Sequence, residues 1–171
     1  MKSPGFAARG FRKGELVNSD LCLSKSTTKQ DLKQAWGAWI SGLANWDWYA
    51  TLTFRDPEPE ELARGYTKRG WGYAVKAYKR FVEALPAPLG VGHWVRMFEY
   101  QQERGVPHVH ALLSGVQDLR RDEAWSWWFQ RYGLARILPY DNKLGAGYYL
   151  CKYVTKELGD VKFSDSLTGK S

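Results

Sequence analysis

The chain has 171 residues, a length typical of one domain with a hydrophobic core of its own. Hydrophobic residues make up 44% and aromatic residues 15%, which excludes a wholly disordered chain. Lysine and arginine number 25 against 18 acidic residues, and the net charge of +7 favours a polyanionic partner. The two cysteines, Cys22 and Cys151, imply no disulfide framework, and no run suits a signal peptide or a membrane span. We therefore expect a cytoplasmic protein without a membrane partner.

The chain begins with a polar segment. Residues 1–30 are rich in Gly, Ser, Lys and Arg, and this composition predicts a partly ordered basic arm, with a short strand near residues 16–23. Residues 29–43 then space apolar side chains as a helix does. We expect this helix to bury four of them: Leu32, Trp36, Trp39 and Ile40.

Residues 48–54 alternate between two kinds of side chain, which predicts a strand. One face is apolar and the other carries a polar set: Tyr49, Thr51, Thr53 and Arg55. We expect the polar set to border a functional site and to contact a DNA backbone, although solvent exposure alone would also explain it. After a proline-rich break, residues 60–84 predict a helix interrupted near Gly65 and residues 70–72. Four of its side chains should face the sheet: Val75, Tyr78, Val82 and Leu85.

Two runs, residues 94–100 and 107–113, predict a β-hairpin. His108 and His110 are two residues apart, so both side chains point to the same face of the second strand. In the hairpin register, Glu99 lies opposite His108 on that face. Two imidazoles and a carboxylate could share Mn²⁺, Mg²⁺ or Zn²⁺, which makes these three residues candidate metal ligands. A His-x-His pair on a strand is also common at ordinary surface or packing positions.

Residues 122–132 predict a helix with an aromatic cluster: Trp125, Trp127, Trp128 and Phe129. Such rings either stack on the bases of single-stranded nucleic acid or pack in a core. We expect packing for most of them. A short strand is predicted over residues 134–138.

The run from Gly147 to Gly159 predicts a helix with two tyrosines and two lysines on one face, at i, i+3, i+4 and i+7: Tyr149, Lys152, Tyr153 and Lys156. Leu150, Cys151 and Val154 form a separate apolar stripe. A phenol has a pKa of about 10 and is a weak nucleophile, but nearby cations favour its phenolate. Beside a metal-bound phosphodiester, the two tyrosines and two lysines are candidate catalytic groups for phosphoryl transfer through a phosphotyrosine. An amphipathic surface helix is the alternative.

These motifs carry a family resemblance. Pro107-His108-Val109-His110 resembles the His-hydrophobic-His motif of HUH endonucleases, which include rolling-circle replication initiators, relaxases and some transposases. Glu99 matches the acidic third ligand of several of these families, and residues 50–54 resemble their first motif. Both Tyr149-Leu150-Cys151-Lys152 and Tyr153-Val154-Thr155-Lys156 match the Tyr-x-x-Lys motif of replication initiators. The tandem form resembles the two-tyrosine helix of replication proteins from small single-stranded DNA phages.

The resemblance implies a metal-dependent, sequence-specific endonuclease that nicks and joins single-stranded DNA to initiate rolling-circle replication. It implies a 5′-phosphotyrosine intermediate, Mn²⁺ or Mg²⁺ as the cofactor, and origin DNA as the partner, with a host helicase as a further partner to consider. The two motif copies fit equally well, so the tyrosine that acts first stays open. A HUH transposase, a relaxase or a non-catalytic nucleic-acid-binding module of the same fold is the alternative.

The predicted order is helix, strand, helix, hairpin, helix, strand, helix. It indicates an α+β fold with an antiparallel or mixed sheet packed on helices. The resemblance adds a central antiparallel sheet with a ferredoxin-like, RRM-like core. The expected organisation is a basic arm at 1–30, an endonuclease domain at 31–159 and a polar tail at 160–171.

Overall fold

The computed structural model describes residues 28–65, 70–86, 92–100, 105–150 and 161–169. The predicted arm and its strand near residues 16–23 lie outside the described residues, except for the last residues of the arm. The described residues form one five-stranded antiparallel sheet in the order β4-β1-β3-β2-β5. Its strands are β1 (Trp48–Thr53), β2 (Trp94–Tyr100), β3 (Pro107–Leu113), β4 (Ala135–Pro139) and β5 (Val161–Phe163).

The described helices flank this sheet. They are α1 (Lys29–Ser41), α2 (Pro59–Ala63), α3 (Trp71–Ala84), α4 (Arg121–Arg131), α5 (Gly145–Tyr149) and α6 (Asp165–Thr168). Because α3 follows β1 and α4 follows β3, the first four strands form the βαββαβ arrangement of ferredoxin-like proteins. The predicted α+β fold with a central antiparallel sheet is confirmed. None of the helices in the described ranges has the length and apolar character needed to cross a membrane.

The β2–β3 hairpin has the predicted register. Glu99 is the Cα partner of His108, and Met97 is that of His110. On its other side β3 pairs with β1, where Thr53 and Thr51 oppose His108 and His110. The two histidines therefore lie on a central strand between a carboxylate and a polar strand face.

One face of the sheet packs on α3 and α4. Strand residues such as Leu52 and Val109 join helix residues such as Phe81 and Trp128 in one buried cluster. The prediction for α3 was right for Tyr78 and wrong for Val75, which is 39% exposed. The buried residues of α3 are Ala74, Ala77, Tyr78 and Phe81. Phe81 and Ala77 sit on the sheet side because the helix starts at Trp71, which sets a different rotation from the one we assumed.

The other face packs on α1 and α5. Ile40, Leu112, Ala146 and Leu150 belong to this second buried cluster. Gly42 caps α1 near the predicted end, and Ile40 is fully buried as predicted. The predicted burial of Leu32 and Trp39 was wrong, since they are 36% and 50% exposed. A single helix of this length cannot turn all its apolar residues to one narrow contact.

The carboxyl-terminal segment corrects the prediction of a polar tail. Val161–Phe163 pairs with β2 as an edge strand, and the ring of Phe163 packs 5.4 Å from the ring of Trp39. Beyond β5, the hydroxyl oxygen of Ser166 lies 2.8 Å from Nδ1 of His93. Residues 161–169 are therefore part of the folded domain.

Candidate functional site

His110 is held from one side by two hydroxyl groups. Nδ1 of His110 lies 3.0 Å from the hydroxyl oxygen of Tyr49 and 3.3 Å from Oγ1 of Thr51. Thr51 also donates a hydrogen bond of 3.0 Å to the Tyr49 hydroxyl. The side chain of His110 is 5% exposed, and a hydrogen bond at one ring nitrogen fixes the orientation of the whole ring. The opposite nitrogen, Nε2, thereby faces Glu99.

Glu99 and His110 form a close pair. Oε2 of Glu99 lies 3.6 Å from Nε2 of His110, and the Glu99 side chain is 28% exposed. His108 lies on the same face, with its ring centroid 6.2 Å from that of His110, and its Nε2 atom is buried. The structure therefore brings the three predicted ligands to one end of one sheet face.

The donor types suit a divalent cation. Imidazole nitrogen and carboxylate oxygen bind such ions at about 2.0–2.2 Å, so two ligands of one ion are separated by no more than about 4.4 Å. The 3.6 Å between Glu99 and His110 meets that limit. Within the described ranges, however, no group of three or more His, Cys, Asp or Glu side chains is already arranged around one point. The pair fits an ion, and the third ligand remains a prediction for His108.

Tyr149 lies on the same side of the sheet as the histidines. Its ring centroid is 4.6 Å from that of Tyr49 and 5.3 Å from that of Tyr140. The side chain is only 7% exposed, and its hydroxyl accepts a hydrogen bond of 3.2 Å from the backbone N–H of Asp141. Tyr149 thus belongs to the buried cluster that also holds Leu150, so the predicted separation between a tyrosine face and an apolar stripe is not seen at this residue.

Three of the predicted catalytic residues, Lys152, Tyr153 and Lys156, lie outside the described residues. Their roles, and that of Tyr149 as a nucleophile, stay predictions.

The strand face predicted to contact DNA has more than one use. Tyr49 and Thr51 contact His110, as described above. Burial raises the pKa of the Tyr49 hydroxyl, against the opposing effects of the Thr51 hydrogen bond and the charge of Arg136. Further along, a guanidinium nitrogen of Arg55 donates a 2.7 Å hydrogen bond to the carbonyl oxygen of Phe129.

Sequence reasoning missed Arg136. This exposed residue of β4 is the Cα partner of Thr51, and its charge acts on Tyr49. The strand alternates, with Ile137 buried in the opposite cluster, so the pattern of residues 135–138 contained the signal. The pairing of β4 with β1, which puts Arg136 beside the histidines, was not visible in either strand alone. A cation at this position suits a phosphate.

The fold and the site together define an α+β protein whose antiparallel sheet carries two histidines, a glutamate and an exposed arginine on one face. The chain belongs to the replication-associated protein ORF2 family, whose sequence model matches residues 47–158. The matched range contains β1 to α5, and with them every site residue discussed above. Searches of curated proteins and of solved structures gave no match. Membership of this family supports a role in the initiation of replication, with DNA at an origin as the partner.

Proposed function

We propose that this protein is a divalent-metal-dependent endonuclease that nicks and rejoins single-stranded DNA at a replication origin through a 5′-phosphotyrosine. The observation that carries the proposal is the pairing of His110 with Glu99 at 3.6 Å, with Tyr49 holding the far side of the imidazole. This arrangement lies in a chain of the replication-associated family, on the sheet face that also holds Tyr149.

The residues of the site have separate tasks. His110, Glu99 and His108 would hold Mn²⁺ or Mg²⁺, which polarises a scissile phosphate and stabilises the charge of the transition state when bound. Tyr49 and Thr51 keep the His110 ring in place. Since their contact is with Nδ1, Nε2 is the nitrogen that faces the Glu99 side.

The chemical step belongs to a tyrosine, Tyr149 or Tyr153. Its phenolic oxygen forms a bond to phosphorus, the bond from phosphorus to the 3′ oxygen breaks, and that oxygen takes up a proton to become a free 3′-OH. Positive charge from Lys152 and Lys156 would favour the phenolate and offset the phosphate charge. Attack by a 3′-OH on the phosphotyrosine reverses the step and joins the strands.

The environment of Tyr149 sets a condition for its use. Its hydroxyl would have to exchange the hydrogen bond from Asp141 N–H for the phosphate, and the buried ring would have to turn past Tyr49. The single variants Tyr149→Phe and Tyr153→Phe test the two candidates separately.

A covalent adduct assay tests the proposal. The protein is incubated with Mn²⁺ and a pool of random-sequence single-stranded oligonucleotides labelled at the 3′ end, and adducts are resolved on a denaturing gel. We expect a labelled adduct that chelator prevents and that the Tyr149→Phe/Tyr153→Phe double variant does not form. His110→Ala should also lose the adduct while keeping much of the DNA affinity, because phosphate contacts supply most non-specific binding.

The third histidine of the chain supplies the control. His93 lies on the amino-terminal side of β2 against Ser166, away from Glu99, so His93→Ala should form the adduct normally. An adduct that survives chelation, or that the double tyrosine variant still forms, would contradict the proposal. Sequencing the captured DNA separates an origin from a transposon end, and thus an initiator from a transposase or relaxase.

A further inference from the structure

A cavity of about 530 Å³ lies beside the carboxyl end of β1. Pockets of roughly 300–1,000 Å³ hold small-molecule ligands, a range that includes groups the size of a nucleotide. Its lining is mainly apolar around the exposed side chains of Phe129 and Leu134, with the guanidinium of Arg55 at the same end. The full lining is Thr53, Phe54, Arg55, Asp56, Phe129, Gln130, Gly133 and Leu134.

Two exposed aromatic rings extend this surface. Trp125 and Phe129, one turn apart on α4, stack with centroids 4.8 Å apart and planes 10° from parallel. They are 38% and 44% exposed, whereas Trp128 on the same helix is fully buried. The predicted packing in the core is confirmed for Trp128 and, in part, for Trp127, but not for this pair. Two large aromatic faces side by side in solvent are typical of a binding surface.

The cavity is continuous with the candidate metal site. Thr53 lines the cavity and is also the Cα partner of His108 across the β1–β3 ladder. Neighbouring strands lie about 4.8 Å apart, so a nucleotide chain that passes His108 reaches the cavity within one or two residues of its length. The cavity thus lies beside the path that a scissile phosphate would take.

The walls of the cavity are held in place before any ligand binds. Trp128 donates an indole hydrogen bond of 3.2 Å to the carbonyl oxygen of Thr53, and Arg55 donates to the carbonyl oxygen of Phe129. Between them, Gly133 packs so tightly against β1 that an added Cβ would lie 2.5 Å from the Thr53 carbonyl oxygen. A preformed pocket loses little entropy when it binds a ligand.

We propose that this surface, formed by Trp125, Phe129, Leu134 and Arg55, binds bases of the single-stranded DNA next to the nicked phosphate. The proposal rests on the proposed nicking function. Bases stack on Phe129 and Trp125, and Arg55 lies where the backbone of the same strand passes. In a duplex the faces of the bases are covered by their neighbours, so an aromatic surface of this kind selects single strands. The net charge of +7 favours the same polyanion over an apolar peptide.

Fluorescence anisotropy with labelled oligothymidylate, and with a duplex of the same length, tests this surface. Phe129→Ala and Trp125→Ala should each weaken oligothymidylate binding by about 10-fold, the loss of roughly one base–aromatic stack. Duplex affinity and the salt dependence of binding should change little, because no phosphate contact is removed. Trp125→Phe keeps an aromatic face and should restore most of the affinity.

Trp39→Ala is the matched control, since Trp39 is an exposed tryptophan, 50% accessible, on a helix of the opposite layer. It should bind oligothymidylate as the parent protein does. Unchanged affinity in the α4 variants, an equal loss for duplex, or an equal loss in Trp39→Ala would overturn the proposal. The adduct assay separates the two proposals: if the parent protein forms no adduct but the α4 variants still lose single-strand affinity, the nicking proposal fails and the base site stands.

Discussion

At the scale of single residues, the hydroxyl of Tyr49 connects the strand face to the candidate metal site. It lies 3.0 Å from Nδ1 of His110 and receives a hydrogen bond from Thr51. We predicted from β1 alone that these side chains contact a DNA backbone. In the structure they have a histidine partner, because the ladder with β3 places His110 directly opposite Thr51. Groups that orient a metal-binding imidazole tune its affinity as strongly as some direct ligands do.

Tyr49→Phe should therefore weaken the site without removing a ligand. We expect adduct formation to fall by roughly 10–100-fold and to need more Mn²⁺, as for other losses of a hydrogen bond to a metal-binding histidine. The measurement is a titration of adduct yield against Mn²⁺ concentration. Tyr140→Phe is the control, because its hydroxyl lies 3.3 Å from Ser41 and not at His110. If both variants need the same Mn²⁺ concentration as the parent protein, Tyr49 does not position His110.

At the scale of elements, the turn between α4 and β4 fixes the end of β1. Backbone N–H groups of Thr53 and Arg55 donate to the carbonyl oxygens of Leu134 and Tyr132, each at 2.8 Å. Gly133, between those two acceptors, has a φ of 146°. A side chain there would be strained in its backbone and would also meet β1, where its Cβ would lie 2.6 Å from the Arg55 nitrogen. The turn can lie this close to the strand only because residue 133 is glycine.

Gly133→Ala should destabilise the protein by roughly 2–4 kcal/mol, the sum of backbone strain and steric overlap. Denaturant unfolding measures the loss. Gly72→Ala is the control, since nothing lies within 4 Å of its added Cβ and the residue is in helix α3. Alanine there should be neutral or stabilise by up to about 1 kcal/mol. Equal stability of the two variants would show that the turn has room to move.

At the scale of the whole molecule, the sheet separates two surfaces. Its α3/α4 face is filled by the larger buried cluster, whereas the other face is covered by α1 and α5 and keeps the histidine end accessible through Glu99 and Arg136. The positive charge of the chain is not confined to either side, since α3 also carries exposed basic residues such as Arg80. The position of the site predicts that only one of these basic surfaces binds the substrate.

Arg136→Ala should lower affinity for single-stranded DNA by several-fold and reduce the salt slope of binding by about one charge. Arg80→Ala, an exposed arginine on α3 beyond the opposite face of the sheet, should change neither. Anisotropy titrations at several salt concentrations give both quantities. Should the two variants lose affinity equally, the DNA would not follow the histidine face.

The sequence by itself determined the features whose period is local. Alternation of side chains fixed the two faces of β1, and the short hairpin fixed the register that places Glu99 opposite His108, because neighbours in a hairpin are set by a few residues of chain. The break between α2 and α3 was likewise visible in the glycines that lie there.

Only the tertiary structure decided which distant segments meet. Val161–Phe163 is too short for its pattern to predict a strand, and it pairs because the edge of β2 offers backbone groups and the apolar side chains of Val95 and Met97. The same holds for the neighbours of Tyr149, for Arg136 beside Tyr49 and for the exposed pair on α4. Side-chain periodicity states which residues share a face, but the partner of that face depends on contacts between residues far apart in the chain, whose packing no local pattern encodes.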